Sequence, residues 1–343
     1  MNRSFSLILL SVAAVALIAD LPAHAKFEKS SSVGDQTIHV ERDLSGRIIL
    51  SAASCDILES QVTGLSDWST KLGDNHSAGA ACTCEEGNEG NEKCQVDVTK
   101  VVPDVVRKLQ GFLPEYTGPN CWNAALVIGK IVPELRYSDP SEMTFWLDSP
   151  LCRELPADEK SKAGDIVAVR DKDGVEQHAY IYVTEQIAFS KNGAENTAPY
   201  TLESPWNVLF RYDVREGCRK VLGDVDPRCP NYTNFYDCEP LDDFMSGLKT
   251  APTQKFQETS SEVSDVEMQL SNLALHGDHK KYLFFSTKQN PSALKAALTN
   301  RIAVLRMISE EEVKKPHTAD EEFLWKSLTV RLDSTAQQIK DIE

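Results

Sequence analysis

The sequence predicts an α+β fold, with helices packed on an antiparallel sheet, cysteine-rich flanks and a helical C-terminal region. Three observations predict it. Between residues 99 and 215, helix-like runs come first and a meander of strand-like runs follows. Asp171-Lys172-Asp173-Gly174 separates two of those runs with the chemistry of a hairpin turn. Beyond Ser261, apolar residues recur at three- and four-residue intervals, the helical period.

The elements follow in chain order. Arg3, the apolar run Phe5 to Ile18 and the small-x-small step Ala23-His24-Ala25 read as an export signal over residues 1–25. That run is short for a membrane span, and no later run is long enough, so no span is expected after signal cleavage. Residues 26–98 carry strand-like runs at Thr37 to Val40 and Arg47 to Ser51, then a polar loop from Ala78 to Lys93. They read as a small cysteine-stapled N-terminal region. Within residues 99–215, Val101 to Phe112 predicts an amphipathic helix, Trp122 to Val132 an apolar one and Pro140 to Trp146 a third. Strands are expected at Asp165 to Arg170, Gln177 to Thr184 and Ile187 to Ser190.

Residues 216–254, rich in Cys, Pro, Asp and Asn, predict an irregular stapled extension. Residues 255–343 predict helices at Val263 to Leu275, Pro291 to Ile308 and Ala319 to Ile342. Pro291 suits a first helical turn, and Thr318 with Glu321 resembles a capping box. Such stripes usually face a core, which makes this region a packed appendage first and a surface for a protein partner second.

Nine cysteines are present, an odd number. In an oxidising compartment eight pair and one is left over. Cys121 is the candidate for the leftover, because it stands at a helix mouth. The rest divide into two groups, Cys55, Cys82, Cys84 and Cys94, then Cys152, Cys218, Cys229 and Cys238, with two bridges expected in each. Connectivity inside a group does not follow from spacing. Zinc is not expected at Cys82-Thr83-Cys84 with Cys94, since one-residue spacing is poor for a structural site and His76 is the nearest histidine. No metal and no cofactor are expected. The formal charge of −16 disfavours a polyanionic partner, which excludes nucleic-acid binding. An exported protein, periplasmic or extracellular, is the expectation.

The chemistry concentrates at Cys121 and His178. Cys121 lies in Gly118-Pro119-Asn120-Cys121-Trp122, and His178 follows 57 residues later in the strand-like His178-Ala179-Tyr180-Ile181-Tyr182-Val183. The positive end of the helix dipole favours a thiolate at such a position. Asn120 is placed to cap the helix, leaving backbone N–H groups aimed at the spot where an oxyanion would form. His178 would take the thiol proton and return it to a leaving amine. A third polar group should orient the imidazole. Ser190, twelve residues on, and Asn192 just beyond it are the two candidates. His76, His276, His279 and His317 lie in polar segments and are expected to be solvated. This pattern points to a cysteine hydrolase or transferase.

These residues carry a resemblance. Cys121 at a helix start, Ala163-Gly164-Asp165-Ile166-Val167 leading a strand, and the His178 strand together resemble the NlpC-type cell-wall cysteine peptidases, over roughly residues 100–212. The resemblance implies a papain-like core, here a divergent one. Asn120-Cys121-Trp122 stands where that family has Asp-Cys-Ser, and Ser190 stands where it commonly has histidine. It also implies a tyrosine near the oxyanion site, for which Tyr116 is the candidate.

By that resemblance the chain is expected to cleave amide bonds in peptidoglycan or other peptides. A basic subsite for stem-peptide carboxylates would draw on Arg136, Lys160, Lys162 or Arg170. Two further readings stand beside it. One is a transglutaminase-like acyl transferase, which lacks the expected aspartate soon after His178, the next being Asp213. The other is an inactive envelope binding or scaffolding protein on the same core.

Overall fold

The computed structural model describes residues 38–74, 80–86, 92–114, 117–156, 158–220, 226–276 and 291–340. The export signal, Tyr116, His76, His279 and parts of the 78–93 loop lie outside them. The elements are β1 (His39–Arg42), β2 (Ile48–Ala52), α1 (Cys55–Lys71), β3 (Cys82–Glu86), β4 (Glu92–Asp97), α2 (Asp104–Leu109), α3 (Cys121–Ile128) and α4 (Pro140–Leu147). There follow β5 (Cys152–Glu154), β6 (Ile166–Asp171), β7 (Glu176–Tyr182), β8 (Ala188–Lys191), β9 (Tyr200–Glu203), α5 (Pro205–Arg211), β10 (Val214–Arg219) and β11 (Asn231–Cys238). The chain closes with α6 (Leu241–Gly247), α7 (Gln254–His276), α8 (Pro291–Val313) and α9 (Ala319–Lys340).

Helices and antiparallel sheets are combined as expected of an α+β protein. A small sheet runs β1-β2-β4-β3, all antiparallel. The larger sheet runs β10-β11-β6-β7-β8-β9, with β5 paired to β11. Among the described strands of that sheet, β10 and β11 pair in parallel and the other pairs are antiparallel. Alternation along its central strands divides two apolar layers. Ile166, Ala168, Ala179, Ile181 and Phe189 face the main core with α1, α3 and α4. Val167, Val169, Tyr180 and Ala188 face the opposite layer, with Val208 of α5 and Val214 of β10.

Several expectations are corrected here. The N-terminal region contains a 17-residue helix, α1, where only strands and loop were expected. Leu58, Leu65 and Trp68 are its buried face, so its amphipathic spacing was present in the sequence and was masked by its Ser, Thr and Gly content. The polar 78–93 stretch contributes β3 and the start of β4, because a disulfide across the hairpin holds it extended. The 216–254 extension is not irregular: β10 and β11 belong to the main sheet, and β11 pairs with β6 over six residues. The helix expected over Val101 to Phe112 is confined to Asp104–Leu109, since Pro103 delays its start.

Four disulfides join Cys55–Cys82, Cys84–Cys94, Cys152–Cys238 and Cys218–Cys229, two within each predicted group. By loop-closure entropy the 86-residue Cys152–Cys238 separation is worth about 4–5 kcal/mol and the 10- and 11-residue ones about 3 kcal/mol each. Among the described residues no helix is long and apolar enough to cross a membrane.

The three C-terminal helices build their own core from Val263, Val266, Leu270, Ile302, Leu324, Trp325, Leu328 and Leu332. They are also bound to α4. Phe323 stacks on Phe145 with centroids 5.6 Å apart. Below this contact lies a buried charge network. The Arg136 guanidinium donates to both carboxylate oxygens of Glu142 and, at 2.9 Å, to Glu267. Glu267 in turn accepts from Arg331 at 2.6 and 3.1 Å. Arg136, Glu142 and Glu267 are fully buried. Two guanidinium groups meeting two carboxylates cancel charge that desolvation would otherwise make costly. The capping box also forms: Glu321 N–H donates to Thr318 Oγ1 and Thr318 N–H to Glu321 Oε2, each at 3.3 Å. Val304 and Met307 of α8 remain exposed.

Candidate active site around Cys121

α3 begins where the sequence places it. Asn120 has extended backbone, its side-chain oxygen accepts from Asn123 N–H at 3.1 Å, and its amide donates to Ser138 O at 2.7 Å. Both contacts hold the first turn rigidly, because Asn120 and Asn123 are buried. Cys121 is the one cysteine not in a disulfide, and it is buried. The backbone N–H groups of Ala179, Trp122 and Cys121 itself favour its thiolate. Ala179 can give its N–H because the β7–β8 register runs only over Ile181↔Phe189 and Tyr182↔Ala188. The two strands part before residue 179, and the mouth of α3 meets β7 at the residue after His178.

His178 and Ser190 project from the parted strands toward each other. His178 Nε2 and Ser190 Oγ are 3.0 Å apart, and both side chains are buried. The other ring nitrogen, Nδ1, is buried and has no hydrogen-bond partner. Asn192 does not reach the imidazole; its amide donates to Glu203 Oε1 at 3.0 Å. The serine wins over the asparagine because β8 holds it in register, whereas Asn192 lies past the strand and is drawn to the β9 carboxylate.

Burial sets the electrostatics. It pushes the Cys121 thiol up to about 11, against the weaker pull of the three N–H groups and the Lys191 charge. It pushes His178 down to about 3, aided by the nearby Arg211 charge. The expectation of a dipole-stabilised thiolate is thus corrected: loss of hydration outweighs the helix mouth. At rest the thiol is protonated and the imidazole neutral.

Three neighbours were not anticipated from sequence. The Tyr212 ring stacks on the His178 imidazole, with centroids 4.0 Å apart and planes 17° from parallel. Burial raises the pKa of its hydroxyl, and a Cys121 thiolate would raise it further. Tyr212 follows α5 and precedes Asp213, whose φ of 48° turns the chain into β10. Nothing local in the sequence marks it. Lys191 is fully buried and donates to Gly193 O at 2.8 Å and Glu195 O at 3.1 Å. Burial lowers its amine to about 8. A lysine ending the apolar run Ile187-Ala188-Phe189 was the available signal. Arg211 pairs with Glu203 at 2.7 Å.

The proposed basic subsite is not assembled. Arg136 is spent in the buried Glu142 and Glu267 network, and Arg170 pairs with buried Glu176 at 2.6 Å. Lys160 and Lys162 are exposed, and Lys162 lies beside the Asp165 turn ahead of β6. His317 is also not free in solvent: its side chain is largely buried, with Nε2 2.7 Å from Glu312 O. Cys55, Cys82, Cys84 and Cys94 have their sulfurs within 4.8 Å of one another, but all four are paired in disulfides and none is the thiolate a structural metal site uses. Comparison with protein-family descriptions, with curated proteins and with solved structures finds no match to this chain.

Proposed function

We propose that this protein is an exported cysteine hydrolase of papain-like, NlpC-type architecture that cleaves amide bonds in peptides, those of peptidoglycan foremost. The observation that carries the reading is the division of labour on one imidazole. Nε2 of His178 is held by Ser190, Nδ1 is buried without a hydrogen-bond partner, and the backbone N–H of Ala179, next along β7, favours the Cys121 thiolate. An orienting group on one nitrogen leaves the other free to take a proton. As the sulfur attacks a carbonyl carbon, its proton passes to Nδ1 and the carbonyl oxygen gains the negative charge. The N–H groups at the mouth of α3 lie where such charge is stabilised. Collapse breaks the C–N bond, the amine leaves with the imidazole proton, and water then hydrolyses the thioester. Disulfides in both flanks support an oxidising compartment.

A neutral pair suits this sequence of events, since charge appears only when substrate arrives. Burial of both groups, with Tyr212 stacked on His178, favours a second reading as well, a catalytically silent binding protein on the same core. Incubation with purified peptidoglycan and mass analysis of released fragments separates the two. Hydrolysis yields new amine and carboxyl termini that vanish in Cys121→Ala. Intact peptidoglycan after prolonged incubation, with wild-type and variant alike, rejects peptidoglycan as substrate, and a parallel peptide library then tests the wider class.

A further inference from the structure

The N-terminal sheet holds a second sulfur site, unconnected with Cys121. Cys55 heads α1, Cys82 and Cys84 lie two residues apart on β3, and Cys94 lies opposite Cys84 on β4. All four sulfurs fall within 4.8 Å of one another. The Cys55 and Cys84 sulfurs, which belong to different disulfides, are only 3.4 Å apart. Cys84 is exposed, whereas its partner Cys94 is completely buried. A thiolate attacks a disulfide at whichever sulfur it can reach, and the sulfur displaced becomes the next nucleophile.

We propose that Cys55, Cys82, Cys84 and Cys94 form a thiol–disulfide exchange centre that interconverts two pairings, with Cys84 as the sulfur open to an attacking thiol. The thiolate of a small monothiol bonds to Cys84 Sγ, the Cys84–Cys94 bond breaks, and its electron pair leaves on Cys94. Cys94 then bonds to Cys82, and the Cys55–Cys82 bond breaks with its electron pair on Cys55. Cys55 closes the cycle on Cys84, 3.4 Å away, and expels the monothiol. Two disulfides are present before and after, so no oxidant or reductant is consumed. The product carries Cys55–Cys84 and Cys82–Cys94. The covalent anchor of α1 thereby moves two residues along β3. That helix also receives the Thr184 hydroxyl on Gln61, at the turn joining β7 to β8.

The test uses the full chain with Cys82→Ser. Tryptic peptides 48–71, 72–93 and 94–100 then carry one cysteine each. After incubation with glutathione, acid quenching and alkylation, exchange shifts part of peptide 72–93 from a disulfide with 94–100 to one with 48–71. Peptide 72–93 found bonded to 94–100 alone, with Cys55 fully alkylated, overturns the proposal, as does a Cys55–Cys94 bond in place of Cys55–Cys84. A fold defect in the variant leaves the wild type to decide. There, tandem fragmentation between residues 82 and 84 reads which partner each cysteine holds. Native pairs alone, after exposure to glutathione, reject exchange. Cys152–Cys238 and Cys218–Cys229 serve as references expected to keep their partners.

Discussion

Ser190 Oγ lies 3.0 Å from His178 Nε2 across strands that have already parted, so the serine touches the imidazole without any strand hydrogen bond between the two residues. The contact is set by the side chains themselves and depends on the β8 register. It distinguishes Ser190 from Asn192, which spends its amide on Glu203.

Ser190→Ala should lower kcat/KM by about 10-fold to 100-fold, the cost of losing one orienting hydrogen bond of about 1.5–3 kcal/mol. Asn192→Ala should leave turnover within a few-fold. Steady-state kinetics on a released peptide fragment measure both. Equal losses in the two variants would remove Ser190 from its positioning role.

Iodoacetamide should label Cys121 slowly near neutral pH. With the thiol pushed up to about 11 and only 4% of the residue exposed, the rate should climb about tenfold per pH unit through the range from 7 to 9. In urea the same residue should label with the profile of an ordinary thiol. A labelling transition below pH 7 in the native protein would show a thiolate that burial has not suppressed.

Glu267→Ala should destabilise the protein by about 3–5 kcal/mol, because it leaves Arg136 and Arg331 buried without a shared carboxylate. Denaturant unfolding should show a lower midpoint, with α7 to α9 losing helicity first. The distant exposed pair Arg228–Asp226 provides the contrast: Asp226→Asn should leave the midpoint almost unmoved. Similar losses from the two substitutions would contradict the network's role.

Much of the local chemistry was legible along the chain. Asn120 capping α3, Pro291 starting α8 and the Thr318–Glu321 box depend on neighbours within a few residues, so short-range rules find them. The odd cysteine count left one thiol over and the helix mouth singled out Cys121, and the hairpin at Asp171 to Gly174 fixed the spacing of β6 and β7. Tertiary structure alone decided the rest. The 216–254 segment reads as irregular until β11 finds β6, since pairing partners distant in sequence leave no periodic mark. Tyr212 has no local signature and acquires its place only by stacking on His178. The protonation of the site was likewise out of reach. Helix position and residue type argue for a thiolate, while the removal of water around Cys121 and His178, a property of the whole packed molecule, returns both groups to their neutral forms.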